Sequence, residues 1–212
     1  LWGYECLGYY NSQEEIDNAE AKSSFGTVKP GDLKYKDQNG DGVIDSKDRV
    51  VIGRWSAKFT GGMNLTLKYK NFTLFAMLTG QFGGNAIKND TYNWVYGERK
   101  YSDVVLGAWT ENKYKNGEAI TYPRLTTQSG DNNFNTSDYW MYSTDRIDLS
   151  RVQLTYDFSK SLFGDKALVK GLQVYVNGSS LLTIAGERKQ MERNVGSAPQ
   201  TRSFTIGAKV EF

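Results

Sequence analysis

Asp37, Asn39, Asp41, Asp45 and Asp48 carry side-chain oxygens at positions 1, 3, 5, 9 and 12 of the stretch Asp37-Gln-Asn-Gly-Asp-Gly-Val-Ile-Asp-Ser-Lys-Asp48. Val43 can add a backbone carbonyl at position 7, and Gly42 at position 6 permits a sharp turn. Calcium takes roughly six to eight oxygens, and this spacing wraps them round one point. Position 12 holds Asp where such loops usually hold Glu, with one methylene less reach. The flanks, Pro30-Gly31 and Val50-Val51-Ile52, do not read as the two helices of an EF-hand. Residues 30–53 are therefore expected to form a calcium-type loop that stiffens a longer connection rather than a sensor. The competing reading is an Asx-rich turn that folds on its own backbone and binds no metal.

Little other chemistry is available. The 212 residues contain no His, which removes histidine triads, histidine-ligated zinc and imidazole acid–base catalysis. No convergent carboxylate pair stands out, so we do not expect an enzyme and name no catalytic residue. Cys6 is the only cysteine and reads as a spectator. The net charge of +2 implies no strong field for nucleic acid. A mean hydropathy of −0.58, with no run of about 18 apolar residues, excludes a transmembrane helix but not a transmembrane barrel.

The elements that position these residues read as strands. Gly 22, Tyr 14, Phe 10 and Trp 5 against Pro 3 is a β-rich profile. In the last nine residues, Phe204, Ile206, Ala208, Val210 and Phe212 share one face and Thr205, Gly207, Lys209 and Glu211 the other. An apolar face, a polar face and an interfacial aromatic suit an outer-membrane barrel strand. The same alternation runs through Lys58–Tyr69 and Phe72–Phe82, with only Lys70-Asn71 between them, which predicts a tight hairpin. Leu1–Tyr10, Tyr142–Phe158, Leu172–Ile184 and Gln200–Phe212 complete six strand candidates. The apolar phase of Tyr142–Phe158 slips between Leu149 and Val152, which predicts a bulge or the membrane boundary.

The connections alternate in length. Residues 11–57 and 83–141 are long, 70–71 minimal, and 159–171 and 185–199 moderate. Barrels of the outer membrane have short periplasmic turns and long external loops. With Phe212 on the periplasmic side, both long connections fall outside. Tyr69, Phe72, Tyr156, Phe158 and Phe212 then lie near periplasmic strand ends, where an aromatic girdle belongs. The chain opens at Leu1 on a strand-like stretch, and we read it as a fragment of a longer protein.

Several motifs resemble the C-terminal third of the SusC/RagA family of TonB-dependent outer-membrane transporters. They include Lys29-Pro-Gly-Asp-Leu-Lys-Tyr35, the calcium-type loop, Asp48-Arg-Val-Val-Ile-Gly53, Trp109-Thr110, Tyr122-Pro-Arg-Leu125 and Ser137-Asp-Tyr-Trp140. Ile147-Asp-Leu-Ser-Arg-Val-Gln-Leu-Thr-Tyr156 and Arg202-Ser-Phe-Thr-Ile-Gly207 follow in the family's order. The stretch Ile184–Gln190 departs from the family's aromatic-Gly-Tyr pattern. The resemblance implies an all-β fold, with residues 1–212 forming about the last six strands of a larger antiparallel barrel. It also implies energised uptake of oligosaccharides or peptides through the cell outer membrane. The implied partners are membrane lipid, a SusD-like surface lipoprotein and the TonB complex, the last reached through an N-terminal plug region. A different reading is a soluble, calcium-stabilised carbohydrate-binding or adhesin domain. Trp94, Tyr96, Trp109, Tyr122 and Trp140, in the second long connection, are candidate contacts for substrate or partner. Aromatic faces stack on sugars, although such residues more often pack a loop onto itself.

Overall fold

A computed structural model describes residues 1–88, 90–99, 102–127, 132–158, 168–193 and 201–212. They fall into two compact units: Ser56–Gly84 with Ser143–Phe212, and Leu1–Trp55 with Asn85–Tyr142. Among the described residues no helix is long and apolar enough to cross a membrane.

The first unit is a sheet of five long strands: β1 Phe59–Tyr69, β2 Phe72–Phe82, β3 Arg146–Asp157, β4 Gly171–Ile184 and β5 Ser203–Glu211. Sequence neighbours pair antiparallel in the order β1-β2-β3-β4-β5, an up-and-down meander. Lys70, at φ 52, makes the two-residue turn between β1 and β2. The register lines up apolar rows across all five strands. Leu67, Leu74, Leu154, Val176 and Ile206 form one, and Leu65, Ala76, Val152, Gly178 and Phe204 the next. The intervening rows are mainly polar, as in Thr66, Phe75, Gln153, Asn177 and Thr205. Side chains alternate along a strand, so these rows occupy opposite faces. The apolar face is bare: Phe59 is 63% exposed, Met63 61%, Leu67 53% and Ile206 77%.

The slip in β3 is a β-bulge. The register on both sides shifts between Leu149 and Arg151. Ser150 is the extra residue against β2, and its Oγ lies 2.7 Å from Thr79 Oγ1. Ser180, at φ 54, takes up the irregularity on β4. The bulge keeps Leu149 and Val152 on the apolar face despite their odd spacing. The stretch read as one strand over Tyr142–Phe158 is broken before β3, and Met141–Ser143 pairs with Asn85–Ile87 instead.

Leu1–Tyr10 does not join the sheet, so among the described residues the wall has five strands rather than about six. Trp2–Gly3 pairs with Val50–Val51 and Cys6–Tyr9 with Leu33–Tyr35. Alternation marks a strand but does not say which sheet it enters. Here Tyr4 and Tyr10 close into the second unit, each only 5% exposed.

That second unit has an ordinary inward core. Tyr4, Leu33, Tyr35, Ile44, Val95, Ala108, Tyr122, Phe134 and Trp140 cluster in it. Backbone groups of its irregular segments must still find partners. Asn132 and Asn133 supply many of them. Asn133 Oδ1 accepts from Leu33 N at 2.8 Å, Asn132 Nδ2 donates to Leu33 O at 2.6 Å, and Trp140 Nε1 donates to Asn133 O at 2.8 Å. The two bonds to Leu33 join the two long connections to each other.

Candidate functional site

Three places carry the residues singled out by sequence. The first is the calcium-type loop. Asp37 accepts backbone N–H from Gly40 at 2.7 Å and Gly42 at 2.9 Å, and Gly42 adopts φ 81, as its position in the turn demands. Asn39 Oδ1 accepts from Asp41 N and Asp41 Oδ1 from Val43 N, each at 3.0 Å. These bonds hold the Asp37 and Asp41 carboxyls below the usual carboxylate range. The Gly42 N–H is the main cause for Asp37, and the Val43 N–H for Asp41.

Asp45 and Asp48 form a reciprocal cap. Asp45 accepts from Lys47 N at 2.7 Å, and buried Asp48 accepts from Asp45 N and Gln38 N at 2.8 Å each. The Lys47 ammonium reaches Asp41 Oδ2 at 3.3 Å and Asp45 Oδ2 at 3.6 Å. Its pKa is raised, chiefly by the hydrogen bond to Asp41. Among the described residues no three acidic or thiol groups converge as a metal cluster. The structure gathers Asp37, Asn39 and Asp41 into one turn, sets Asp48 to backbone capping, and answers the Asp41 and Asp45 carboxylates with Lys47.

The second place is the aromatic set. Tyr122 and Trp140 are each 2% exposed, and their rings lie edge to face at 5.8 Å. The Tyr122 hydroxyl donates to Asn93 O at 2.8 Å and accepts from Val95 N at 3.0 Å, and burial pushes its pKa up to about 12. Both side chains are engaged in packing. Trp94, Tyr96 and Trp109 are half-buried. Trp94 and Tyr96 pack on Phe134 at 5.8 and 5.0 Å. Trp109 lies against Gly31, at φ 91, where a Cβ would come within 2.5 Å of the indole. The Pro-Gly-Asp of the sequence motif is explained here. Gly31 admits Trp109, and the fully buried Asp32 meets Arg124 Nη2 at 3.0 Å, Asn133 Nδ2 at 2.7 Å and Lys29 N at 2.8 Å. Burial nevertheless raises the Asp32 carboxyl above its ordinary value.

The third place is the polar face of the sheet, which the sequence reading left without named site residues. Arg146 Nε meets Asp148 Oδ2 at 2.9 Å, and Thr183 Oγ1 donates to Asp148 Oδ1 at 2.5 Å. Arg151 donates to Asn177 Oδ1 and Gln153 Oε1, each at 2.8 Å. Gln153 passes the chain to Thr155 at 3.0 Å. Ser179 and Ser203 hydroxyls lie 2.6 Å apart. A polar ladder thus crosses the strands on the face opposite the bare apolar one. Its signal was present in sequence as the out-of-phase positions of each strand.

One face fit for hydrocarbon and one fit for water is the pattern of a transmembrane barrel wall. At one end of the sheet Tyr69, Phe72, Tyr156 and Phe158 form an aromatic band, with Phe72–Tyr156 at 4.8 Å and Tyr156–Phe158 at 4.9 Å. No family model matches the chain. Curated relatives do. TonB-dependent receptor P3 of Formosa agariphila is 24% identical over 232 residues, covering 100% of this chain and 22% of that receptor. TonB-dependent receptor P26 of the same organism is 29% identical over 230 residues, covering 99% and 22%. TonB-dependent receptor SusC of Bacteroides thetaiotaomicron is 22% identical over 216 residues, covering 99% and 20%. Over its whole length the chain is similar to TonB-dependent receptors of the SusC type. Among solved structures, the RagAB peptide importer matches in its open-open state with TM-score 0.69 at 21% identity, covering all of this chain and 22% of that one. Its closed-closed state matches with TM-score 0.70 at 20% identity, covering 100% and 23%.

The chain spans about a fifth of the length of the curated relatives it matches. The five-stranded meander is a segment of an outer-membrane β-barrel wall. A soluble binding domain would need a second layer over the apolar face, and Phe59, Met63 and Ile206 stand exposed instead.

Proposed function

We propose that the whole receptor imports nutrient oligomers, oligosaccharides or peptides, across the outer membrane with energy from TonB. In this reading a SusD-like lipoprotein covers the external opening and the second unit is its external loop structure. The single observation that carries it is the two-faced sheet: lipid-fit rows on one side, the Arg146–Asp148–Thr183 and Arg151–Gln153–Thr155 ladder on the other. The relatives' names and the peptide-importer neighbours support the same reading. The test is solute uptake by cells carrying the full-length receptor, with and without a working TonB and with the neighbouring lipoprotein deleted. Uptake indifferent to both would defeat the reading.

Calcium at Asp37, Asn39, Asp41, Val43, Asp45 and Asp48 is a second proposal, supported by the ligand spacing and by the turn that gathers the first three side chains. Binding requires Lys47 to leave Asp41 and Asp45, and Asp48 to turn from its two backbone partners. Calorimetry of the full-length receptor with calcium decides it. Heat from the native protein that disappears in Asp41→Ala supports the site; no heat from either defeats it.

A further inference from the structure

Three arginines line one hollow on the polar side of the sheet. Arg146 stands on β3, Arg188 on the helix Arg188–Arg193 after β4, and Arg202 just ahead of β5. Leu181, Thr183, Met191 and Glu192 are among the other residues lining this hollow of about 300 Å3. Two of the guanidiniums are answered by carboxylates: Arg146 by Asp148 at 2.9 Å and Arg188 by Glu192 at 2.8 Å. Arg202 is exposed and has no ion pair among the described residues. One step further along the face, Arg151 bonds only the neutral oxygens of Asn177 and Gln153. Among the described residues, the guanidiniums of Arg146, Arg151, Arg188 and Arg202 therefore meet the two carboxylates of Asp148 and Glu192 in this part of the face. Arginine's planar fork matches a carboxylate, and an uncompensated positive charge inside a water-filled lumen concentrates anions. The bulge at Ser180 accompanies the arrangement, with Leu181 in the lining among the arginines.

We propose that this hollow is a carboxylate subsite on the solute's path. Arg202 and Arg188 hold an anionic group of the passing oligomer, while Leu181 and Met191 take its apolar part. Arg151 offers the next cationic step. The proposal rests on the importer reading above, and it adds the class of solute: one that carries carboxylates. The same face could instead receive an acidic side chain from elsewhere in the receptor, and the test separates the two.

Uptake is measured in cells carrying the full-length receptor, with two matched probe pairs. One pair is oligogalacturonate and its methyl ester; the other is a glutamate-containing peptide and its glutamine counterpart. Heat-modifiable electrophoretic migration confirms a folded barrel in each variant. In one pair the charged member enters about tenfold faster or more, the factor that one charge-assisted contact supplies. That pair identifies glycan or peptide as the source of the carboxylate. Arg188→Gln with Arg202→Gln abolishes the preference and leaves the neutral member's uptake unchanged. TonB-dependent uptake with no charge preference overturns the subsite and spares the importer reading, as does a preference that survives the double substitution. Equal loss of both members, in a folded barrel, shows that the arginines serve a contact within the receptor and also overturns it. Uptake that ignores TonB defeats the importer reading itself.

Discussion

The wall sheet and the loop unit put similar side chains to opposite uses. In the sheet, Phe59, Met63, Leu67 and Ile206 stand outward and uncovered. In the loop unit, Tyr4, Leu33, Trp140 and Tyr122 close on one another, and Asp32, Asn132 and Asn133 are buried among them with their polar atoms satisfied. The sheet is stabilised by lipid against its apolar face and by its own hydrogen-bonded ladder. The loop unit is stabilised as a soluble protein is, by burial. Hydrophobicity alone therefore does not say inside or outside; the surrounding solvent does.

The sharpest way to break this comparison is a deletion in the loop unit's core. Trp140→Ala should destabilise that unit by about 3–5 kcal/mol, as large aromatic truncations do. Its segments should become protease-sensitive while the wall keeps its heat-modifiable mobility. Loss of the barrel along with the loops would show that the two regions do not differ as described. In the wall, Val152→Arg should cost about 2–4 kcal/mol in a lipid-reconstituted unfolding measurement, the penalty for a cation on the lipid face. Thr66→Arg, in the neighbouring polar row on the opposite face, should change stability little. Equal effects at both positions would remove the distinction between faces.

Smaller effects sharpen the account of the calcium-type loop. Asp48→Ala removes the acceptor of two backbone N–H bonds and should destabilise the loop by about 1.5–3 kcal/mol, read by exchange of the Gln38 and Asp45 amides. Acid gives a second handle. The Asp37 and Asp41 carboxyls titrate below their ordinary 3.8, so their contribution is present above that pH and is lost as pH falls through the lowered values. Gly40 and Gly42 amides should keep their protection from neutral pH down to 3.8 and lose it below. The smallest effect concerns Cys6, whose thiol burial lifts to about 11. At pH 8 only about a thousandth should be thiolate, so alkylation of the folded receptor should be slow and speed up on denaturation.

Much of the wall was legible in sequence because a period of two is imposed by two different solvents. Leu67 and Leu74 announce the lipid face, Lys68 and Thr73 the other, and the slip near Leu149 announces the bulge. The loop unit was less legible. Leu1–Tyr10 alternates like a wall strand, yet Tyr4 is claimed by a core built with residues as far along the chain as Phe134 and Trp140. Asn132 and Asn133 have no periodic signature, because what fixes them is the Leu33 N–H and C=O that their side chains satisfy and the Trp140 indole N–H that the Asn133 carbonyl accepts. The calcium-type spacing was visible, but the part of Lys47 as its internal counter-ion depends on how the turn folds. Arg188 and Arg202 are fourteen residues apart in sequence, and only the pairing of β4 with β5 places them round one hollow.

The account's central claim is that the face carrying Leu65, Leu67 and Val152 meets hydrocarbon while the face carrying Thr66, Lys68 and Gln153 meets water. Single labels at Leu65, Thr66, Leu67 and Lys68 of the full-length receptor, reconstituted in bilayers, test it most directly. Quenching by brominated lipid should be strong at Leu65 and Leu67 and weak at Thr66 and Lys68, with a water-soluble quencher giving the reverse order. Quenching that is uniform along the strand, or water access at Leu65 and Leu67, would contradict it.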